Sequence, residues 1–246
     1  MHITRFLVFE MLYLNFDQFK EMQNENYKDP KTWHSSTVVD LNPREKCMRR
    51  YEKMFTFYGL SVKELKILDV GCSLGFFSYE FGKYGKVFGI DYSDTALQYA
   101  RKCHMHHNVQ YFLLDASKPD YVHQYFRGDI FDFIFLREFH PLTRNIEHIN
   151  SHKIIFGYLK MLRPGGIVIV EHVSSKHLQN TIPIVFPKRF YVDCYFTDML
   201  DLACLLRMNN LRIFRNIMFL LKYPFLYFNK ILKRGICKTW VIQKLA

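Results

Sequence analysis

The sequence predicts an α/β protein with a parallel sheet that is covered by helices on both faces. Short runs of β-branched and aromatic residues alternate with helical stretches through the middle of the chain. The strand runs are almost wholly apolar, which is typical of strands buried on both faces. The five predicted strands of this sheet cover residues 66–70, 87–90, 109–114, 131–136 and 167–170.

Apolar periodicity and end signals predict the helices. Gly59 ends the first helix, and Ser93 is a good N-cap for the third. The Arg-Pro-Gly-Gly sequence at 163–166 ends the last helix of this region, and the alternating residues 238–244 predict a further strand that closes the sheet. The predicted helices cover residues 45–58, 76–84, 94–102 and 152–162.

Length and composition exclude several classes of protein. With 246 residues, 49% of them hydrophobic, the chain can bury a large core and is too apolar for a disordered protein. The sequence contains no run of about 18 uncharged apolar residues, so it predicts no membrane span. Six cysteines without a C-x-x-C pair favour a reducing compartment over a disulfide framework, so we expect a cytoplasmic protein.

The first 20 residues are apolar enough to suggest a signal sequence, but two features argue against it. Glu10 interrupts the apolar run, and no small-residue cleavage site follows. We interpret this segment as a packed amphipathic helix, or as an extension ahead of a start at Met22.

The turn after the first predicted strand has the features of a ligand-binding loop. In open parallel sheets, ligands bind beyond the carboxyl ends of the strands. Residues 69–75 have the sequence Asp-Val-Gly-Cys-Ser-Leu-Gly. Gly71 permits a tight turn and a close approach to a ligand, while Gly75 lets the following helix pack against the sheet.

Acidic residues mark the ends of three successive predicted strands. They are Asp69, Asp91, which follows Gly71 by 20 residues, and Asp115. A carboxylate at Asp91 can accept hydrogen bonds from both ribose hydroxyls of an adenosine. Asp115 can reach an adenine amino group. The three acids together predict a nucleoside-containing ligand more specifically than the glycines do.

Five motifs over residues 64–172 resemble, in the same order, those of the class I S-adenosylmethionine-dependent methyltransferases. They are LDVGCSLG at 68–75, GIDYS at 89–93, LDA at 114–116, FDFIF at 131–135 and LKMLRPGG at 159–166. Ser73 stands where the family's D-x-G-x-G-x-G loop has its middle glycine.

The resemblance implies a Rossmann-like fold with a doubly wound, mostly parallel seven-stranded sheet. Residues 1–63 would form an N-terminal helical extension and lid, and residues 64–246 the methyltransferase domain. Within that domain, a basic, aromatic-rich helical insert would cover about 176–236, before the last strand. The cofactor would be S-adenosylmethionine, and the product S-adenosylhomocysteine.

The resemblance also implies roles for individual residues. Asp69 and Gly71 would serve the methionine part of the cofactor, and Asp91 the ribose. Tyr92 would lie beside the adenine, whose edge Asp115 and Ala116 would contact. The other residues expected to contact the cofactor are Cys72, Gly75 and Arg137.

Two other interpretations of the strand-end acids stay open. A nicotinamide dinucleotide requires G-x-G-x-x-G, whereas this loop has G-x-x-x-G and its third acid would have no role. The acids could also serve only as caps in an α/β domain without a ligand.

The resemblance implies that the segment after the fourth strand lines the methyl-transfer cavity, so this segment supplies the candidate catalytic residues. His140 is the candidate general base because imidazole titrates near neutral pH, and Glu138 is the second candidate. His140 could equally cap the start of the following helix. His172, beyond the fifth strand, is a weaker candidate. Alignment of the reacting atoms is the enzyme's main contribution to methyl transfer from a sulfonium, and a base is needed only for a protonated acceptor.

The remaining residues predict no metal site, and they do not define which side chains would surround the methyl acceptor. The Cys-His-Met-His-His sequence at 103–107 places its ligands too close together to close a tetrahedral metal site. Tyr27, Trp33 and Tyr51 precede the first strand and could form an aromatic wall for the acceptor, or could equally be core residues.

The positive charge is concentrated after the fifth strand. Of the net +11, about +9 lies in residues 176–246, which contain 12 Lys and Arg and three acids. As a helix, residues 211–234 would have a basic face beside a broad aromatic face, although Pro224 must kink or divide it. This segment could be a buried insert with snorkelling basic ends, a peripheral membrane or lipid contact, or an RNA-binding surface.

We therefore predict an enzyme that methylates oxygen or nitrogen of a small-molecule acceptor, such as a sugar, lipid precursor or secondary metabolite. The alternatives are an RNA methyltransferase and a catalytically inactive, methyltransferase-like binding subunit. A salt-dependent association with RNA would favour the RNA methyltransferase.

Overall fold

The computed structural model of the chain describes residues 41–128, 130–137, 139, 148–173, 190–196 and 238–245. The helices are α1 (Leu41–Phe57), α2 (Phe76–Phe81), α3 (Asp94–Cys103), α4 (Pro119–Tyr125) and α5 (His148–Lys160). The strands are β1 (Leu65–Val70), β2 (Gly85–Asp91), β3 (Val109–Leu113), β4 (Phe131–Arg137), β5 (Leu162–Val173), β6 (Phe190–Phe196) and β7 (Lys238–Lys244).

The strands form one sheet in the order β3-β2-β1-β4-β5-β7-β6. β1 pairs in parallel with β2 and β4, and the parallel pairing continues outward to β3 and to β5. β7 lies antiparallel between β5 and β6. Because the strand order reverses beside β1, the sheet is doubly wound, which confirms the predicted mostly parallel α/β fold.

Helices cover both faces of the sheet and bury two large cores. On one face, Tyr51 and Phe55 of α1 and Phe81 of α2 are fully buried against Phe133 and Phe135 of β4. Their rings pack edge to face, with centroids 4.9 to 5.6 Å apart in the pairs Phe55–Phe133, Phe81–Phe135 and Tyr51–Phe81.

On the other face, α4 and α5 cover the sheet. Val122, Ile155 and Tyr158 from these helices are buried in one cluster with Val70 and Leu136 of the central strands. α3 lies near β2 and β3 and begins at the predicted cap, because the Ser93 hydroxyl accepts a hydrogen bond from the backbone N–H of Ala96 at 3.3 Å.

The structure differs from the sequence prediction at two elements and one turn. α4 and β6 were not predicted, and β6 replaces part of the helical insert expected over 176–236. The turn at 163–166 lies within β5, where it forms a bulge between two successive pairs of β5 with β4, Leu162–Phe131 and Ile167–Phe133. Gly165 has a φ of +77°, a left-handed conformation that glycine adopts without strain, and it thereby allows the backbone to form this bulge.

The predicted division into an extension and a domain stays a prediction. Helix α1 belongs to the predicted extension and packs into the same core as the sheet. Residues 1–40, which include Tyr27 and Trp33, lie outside the described residues, as does the segment 211–234 with its predicted membrane, lipid or RNA contact. In the part of the chain that the structure describes, no helix is long and apolar enough to cross a membrane.

Candidate active site

The loop between β1 and α2 turns sharply at the carboxyl edge of the sheet. Gly71, Ser73 and Gly75 have φ angles of +71°, +52° and +80°. The N–H groups of Gly71 and Cys72 both donate to the carbonyl of Ile90, at 2.9 Å, which fixes the loop to β2. Ser73, at the position of the family's middle glycine, therefore adopts the left-handed conformation that glycine would favour.

Asp91, the last residue of β2, holds this loop from the neighbouring strand. Its two carboxylate oxygens accept hydrogen bonds from the backbone N–H groups of Ser73 and Ser93, each at 2.9 Å. Burial raises the pKa of Asp91 to about 6, and these hydrogen bonds oppose the shift. Each oxygen keeps a second acceptor position that the ribose hydroxyls of a nucleoside could use.

Asp69 lies on β1 directly below the loop and is also buried. The Ser78 hydroxyl on α2 donates to its carboxylate at 2.6 Å. Burial raises the pKa of Asp69 to about 7; the hydrogen bond from Ser78 lowers it, the charge of Asp91 raises it, and the charge of Arg137 lowers it. A cation bound here would favour the ionised carboxylate.

Asp115 follows β3 and completes the row of acids along the edge. Its carboxylate accepts hydrogen bonds from the N–H and the hydroxyl of Ser117, at 3.0 and 2.6 Å. The Tyr158 hydroxyl of α5 donates to the carbonyl of Ala116 at 2.7 Å and so fixes this turn from below. Burial and the charges of Asp91 and Asp115 raise the pKa of the Tyr92 hydroxyl.

Side chains from β3 and the end of α3 support the loop on its outer side. The Tyr111 hydroxyl lies 3.1 Å from the carbonyl oxygen of Gly75 and 2.9 Å from that of His104. The Nδ1 atom of His104 lies 2.6 Å from the carbonyl oxygen of Leu74. His104, part of the histidine-rich sequence considered above as a metal cluster, is therefore buried in a structural contact.

A buried charge cluster lies where β4 and β5 end. Glu171 accepts hydrogen bonds from the Arg50 guanidinium and, at 2.6 Å, from the Tyr51 hydroxyl. The Nε atom of Arg137 lies 3.5 Å from the same carboxylate. The Arg137 guanidinium carbon also lies 4.7 Å from the centroid of the Phe77 ring. Tyr51 is thus a core residue whose hydroxyl serves this cluster.

The segment after β4 is described only at Phe139. A Cβ atom on Gly71 would lie 3.3 Å from the Phe139 ring, so the absence of a side chain at Gly71 gives the ring room. Glu138 and His140, the candidate catalytic residues, lie outside the described residues, and the side chain of His172 does too.

Five residues of the site were not predicted from the sequence. For Glu171 a signal existed, because an acid directly follows the apolar run 167–170, as Asp91 follows its strand. No local pattern distinguishes the others, because each acquires its role from a partner distant in the sequence. The missed residues are Arg50, Phe77, Ser78, Phe139 and Glu171.

The donor and acceptor groups of this edge suit an adenosine-containing cation. Buried carboxylates lie on β1 and β2, a third follows β3, and the glycine loop lets a ligand approach the backbone closely. A pyrophosphate would instead meet Asp69 and Asp91 beside the loop, which is unfavourable for an anion.

Comparisons with known proteins agree with this geometry. The family model described as "Methyltransferase domain" matches residues 61–204. None of the curated proteins matches the sequence. The N-methyltransferase NodS from Bradyrhizobium japonicum, solved with S-adenosylhomocysteine, is 13% identical with a TM-score of 0.54, over 91% of this chain and 97% of that one.

Two further solved structures show the same fold. A putative rRNA methylase from Clostridium thermocellum is 15% identical with a TM-score of 0.51, covering 85% of this chain and 99% of its own. The plantazolicin methyltransferase BpumL, solved with S-adenosylhomocysteine, is 15% identical with a TM-score of 0.50, covering 94% and 100%.

The family model covers more than half of the chain, including β1 to β6 and the whole row of acids. The chain therefore belongs to the methyltransferase domain family and is a class I S-adenosylmethionine-dependent methyltransferase.

Proposed function

We propose that this methyltransferase acts on oxygen or nitrogen of a small-molecule acceptor, such as a sugar, lipid precursor or secondary metabolite. The proposal depends on one observation, the low solvent exposure of the two arginine side chains beside the ends of β4 and β5. Arg50 and Arg137 have side chains that are 9% and 19% exposed, and both face Glu171. A nucleic acid needs cations that are open to its phosphates, whereas a small acceptor can use an enclosed pocket.

We assign the cofactor contacts to the row of acids and the loop. Asp91 would hold the ribose hydroxyls, Asp115 and the backbone of Ala116 the adenine edge, and Tyr92 would lie beside the adenine. The methionine part would meet Asp69 and the residues of the loop, Gly71, Cys72 and Gly75. The bound cofactor supplies an electrophilic methyl group on a sulfonium.

The chain's own contribution to the reaction is alignment and, for a protonated acceptor, removal of a proton. The hydrogen bonds that fix the loop to Ile90 and Asp91 hold the cofactor contacts in one arrangement before binding, which reduces the entropy lost in the transition state. His140, with Glu138 as the second candidate, stays our predicted base. The substitutions Glu138→Ala and His140→Ala together should abolish transfer to a hydroxyl or ammonium acceptor.

The cofactor assignment is tested by calorimetry with S-adenosylhomocysteine. We expect Asp91→Ala to weaken binding about tenfold or more, because a buried carboxylate that accepts hydrogen bonds from the ligand is removed. Asp94→Ala is the matched control, since Asp94 lies three residues away and its side chain is exposed. Equal affinities of the parent and Asp91→Ala would refute the assignment.

The acceptor class is tested by comparing RNA with small molecules. The net charge of +11 favours RNA as the second candidate. Methyl transfer into ribosomal RNA, together with an affinity that falls steeply with salt, would replace the small-molecule proposal. Mass spectrometry of a panel of hydroxyl and amine acceptors should instead show a mass gain of one methyl group on a small molecule.

A further inference from the structure

A hollow with a volume of about 460 Å³ lies away from the row of acids, at the amino end of β3. Small-molecule sites commonly have volumes of about 300–1,000 Å³. Val109, the first residue of β3, is separated from Asp115 by about 20 Å of extended chain, so the hollow is distinct from the proposed cofactor contacts. The residues that line the hollow are Arg101, Met105, His106, His107, Val109 and Tyr111.

Arg101, near the end of α3, brings a positioned cation to this hollow. Its guanidinium donates a hydrogen bond to the carbonyl of Tyr111 at 3.0 Å and lies 3.8 Å from the carboxylate of Asp94. A guanidinium has five N–H donors, so these two contacts leave donors for a ligand. The Arg101 side chain is 46% exposed, and a ligand in the hollow can therefore reach it.

Two stacked histidines form another part of the wall. The ring centroids of His106 and His107 lie 4.4 Å apart, and the ring planes differ by 24°. The Nδ1 atom of His106 accepts a hydrogen bond from the backbone N–H of Asn108 at 3.1 Å, so the neutral ring carries its proton on Nε2. Burial lowers the pKa of His106, and the positive charges of His107 and Lys83 lower it further. These neighbours make the surroundings of the ring favourable for an anion.

Apolar surface lies beside these polar groups. Met105, in the connection between α3 and β3, is 73% exposed, and Val109 also lines the hollow. Among the described residues that line it, none is acidic. The hollow therefore combines hydrogen-bond donors and positive charge with an apolar wall, which suits an anion attached to an apolar or aromatic group.

We propose that this hollow binds the phosphate group of a phosphorylated aromatic compound. A phosphate has three terminal oxygens, so it can accept hydrogen bonds from the Arg101 guanidinium and from Nε2 of His106 together. The aromatic part would pack against Met105. The site is independent of the proposed methyl transfer, because the cofactor contacts belong to the carboxyl edge of the sheet.

Phenyl phosphate is the probe for this site. Its binding is measured by calorimetry, without and with an excess of S-adenosylhomocysteine, and its location by the NMR signal of the Met105 methyl group. We expect binding under both conditions and a shift of the Met105 signal. Arg101→Gln should weaken binding about three- to tenfold, because a charge-assisted hydrogen bond from a partly exposed side chain is lost.

Three further variants serve as controls. Arg127→Gln removes an exposed arginine on the turn after α4, outside the hollow, and should bind phenyl phosphate as the parent does. Met105→Gln should weaken phenyl phosphate but leave inorganic phosphate unchanged, because only the first ligand has an apolar part. Arg101→Lys is used if Arg101→Gln fails to fold. It keeps the charge but loses the planar fork, so its loss should be smaller.

Three results would overturn the proposal: no binding of phenyl phosphate, its displacement by S-adenosylhomocysteine, or equal affinities of the parent and a folded Arg101→Gln variant. A short single-stranded RNA, titrated in the same way, distinguishes two sources of the phosphate. RNA that binds more tightly than phenyl phosphate, and that also depends on Arg101, would assign the phosphate to a nucleic acid. Weaker binding of the RNA would assign it to a free compound.

Discussion

The proposed contacts of Asp69 and Asp91 with the cofactor would couple its binding to the protonation of two buried carboxylates. Burial raises the pKa of Asp69 to about 7 and that of Asp91 to about 6, against an ordinary value of 3.8 for both. These acids therefore bind protons more tightly in the folded than in the unfolded chain. Their contribution to the stability of the ligand-free protein is present at low pH and is lost as the pH rises from about 4 to about 7.

The affinity for S-adenosylhomocysteine should rise as the pH passes through the two folded-state pKa values. The ligand carries an ammonium group, so it favours the ionised carboxylates, of which only about one in ten is ionised one pH unit below its pKa. We expect affinity about tenfold weaker at pH 6 than at pH 8, measured by calorimetry. Asp69→Asn should flatten the profile. A flat profile in the parent would contradict the assignment of Asp69 to the site.

At the scale of single elements, the turn before α2 is the most constrained. A Cβ atom on Gly75 would lie 2.6 Å from the Tyr111 hydroxyl oxygen and 2.7 Å from the Cβ atom of Ala100, and its φ is +80°. Gly59 has a similar φ of +76°, but nothing lies within 4 Å of the corresponding position. Comparing alanine substitutions at these two glycines therefore distinguishes the cost of backbone strain from the cost of a side-chain collision.

We expect Gly59→Ala to lower the free energy of unfolding by about 1–2 kcal/mol, the cost of a left-handed alanine. Gly75→Ala should cost about 1–3 kcal/mol more, because it adds overpacking. Urea denaturation of both variants measures the difference. Equal losses would show that Tyr111 and Ala100 move aside without cost.

Elements with local signals were predictable from the sequence, and elements defined by distant partners were not. The apolar runs of β1 to β5 and the cap at Ser93 are local, and the structure confirms them. β6 is a short run of apolar and aromatic residues around Asp193, which periodicity alone cannot distinguish from a buried helical segment. Its pairing is with β7, far along the chain. α4 is too short to show a helical period.

The same division applies to the site. The acids Asp69, Asp91 and Asp115 could be found because strand ends are visible in the sequence. The cluster around Glu171 could not, because its partner Arg50 is separated from it by 121 residues and neither residue signals the other locally. Predicting a long-range ion pair of this kind requires knowing which residues of neighbouring strands lie side by side, and the sequence alone does not show that.

At the scale of the whole molecule, α1 is part of the core beneath the carboxyl edge of the sheet, where the candidate active site lies. Phe55 is fully buried against Phe81 and Phe133. Phe55→Ala should lower the free energy of unfolding by about 3–5 kcal/mol, as for other buried aromatic residues. Lys53→Ala, at an exposed position of the same helix, should change it by less than about 0.5 kcal/mol.

The unfolding curve carries a second expectation. Because α1 shares a core with the central strands, denaturation followed by fluorescence and by circular dichroism should give one coincident transition. Two separate transitions in the Phe55→Ala variant would show that α1 is a detachable unit.

The position of β7 between β5 and β6 has a consequence for the time course of synthesis. β6 is paired with β7 alone among the described strands, and β7 begins about 40 residues after β6 ends. At synthesis rates of about 5–20 residues per second, β6 emerges roughly 2–8 s before its partner exists. During that interval residues 190–196 lack β7, the strand with which they pair in the described part of the chain. Among the described strands, the last to be made is thus the one that joins the edge of the sheet to its centre.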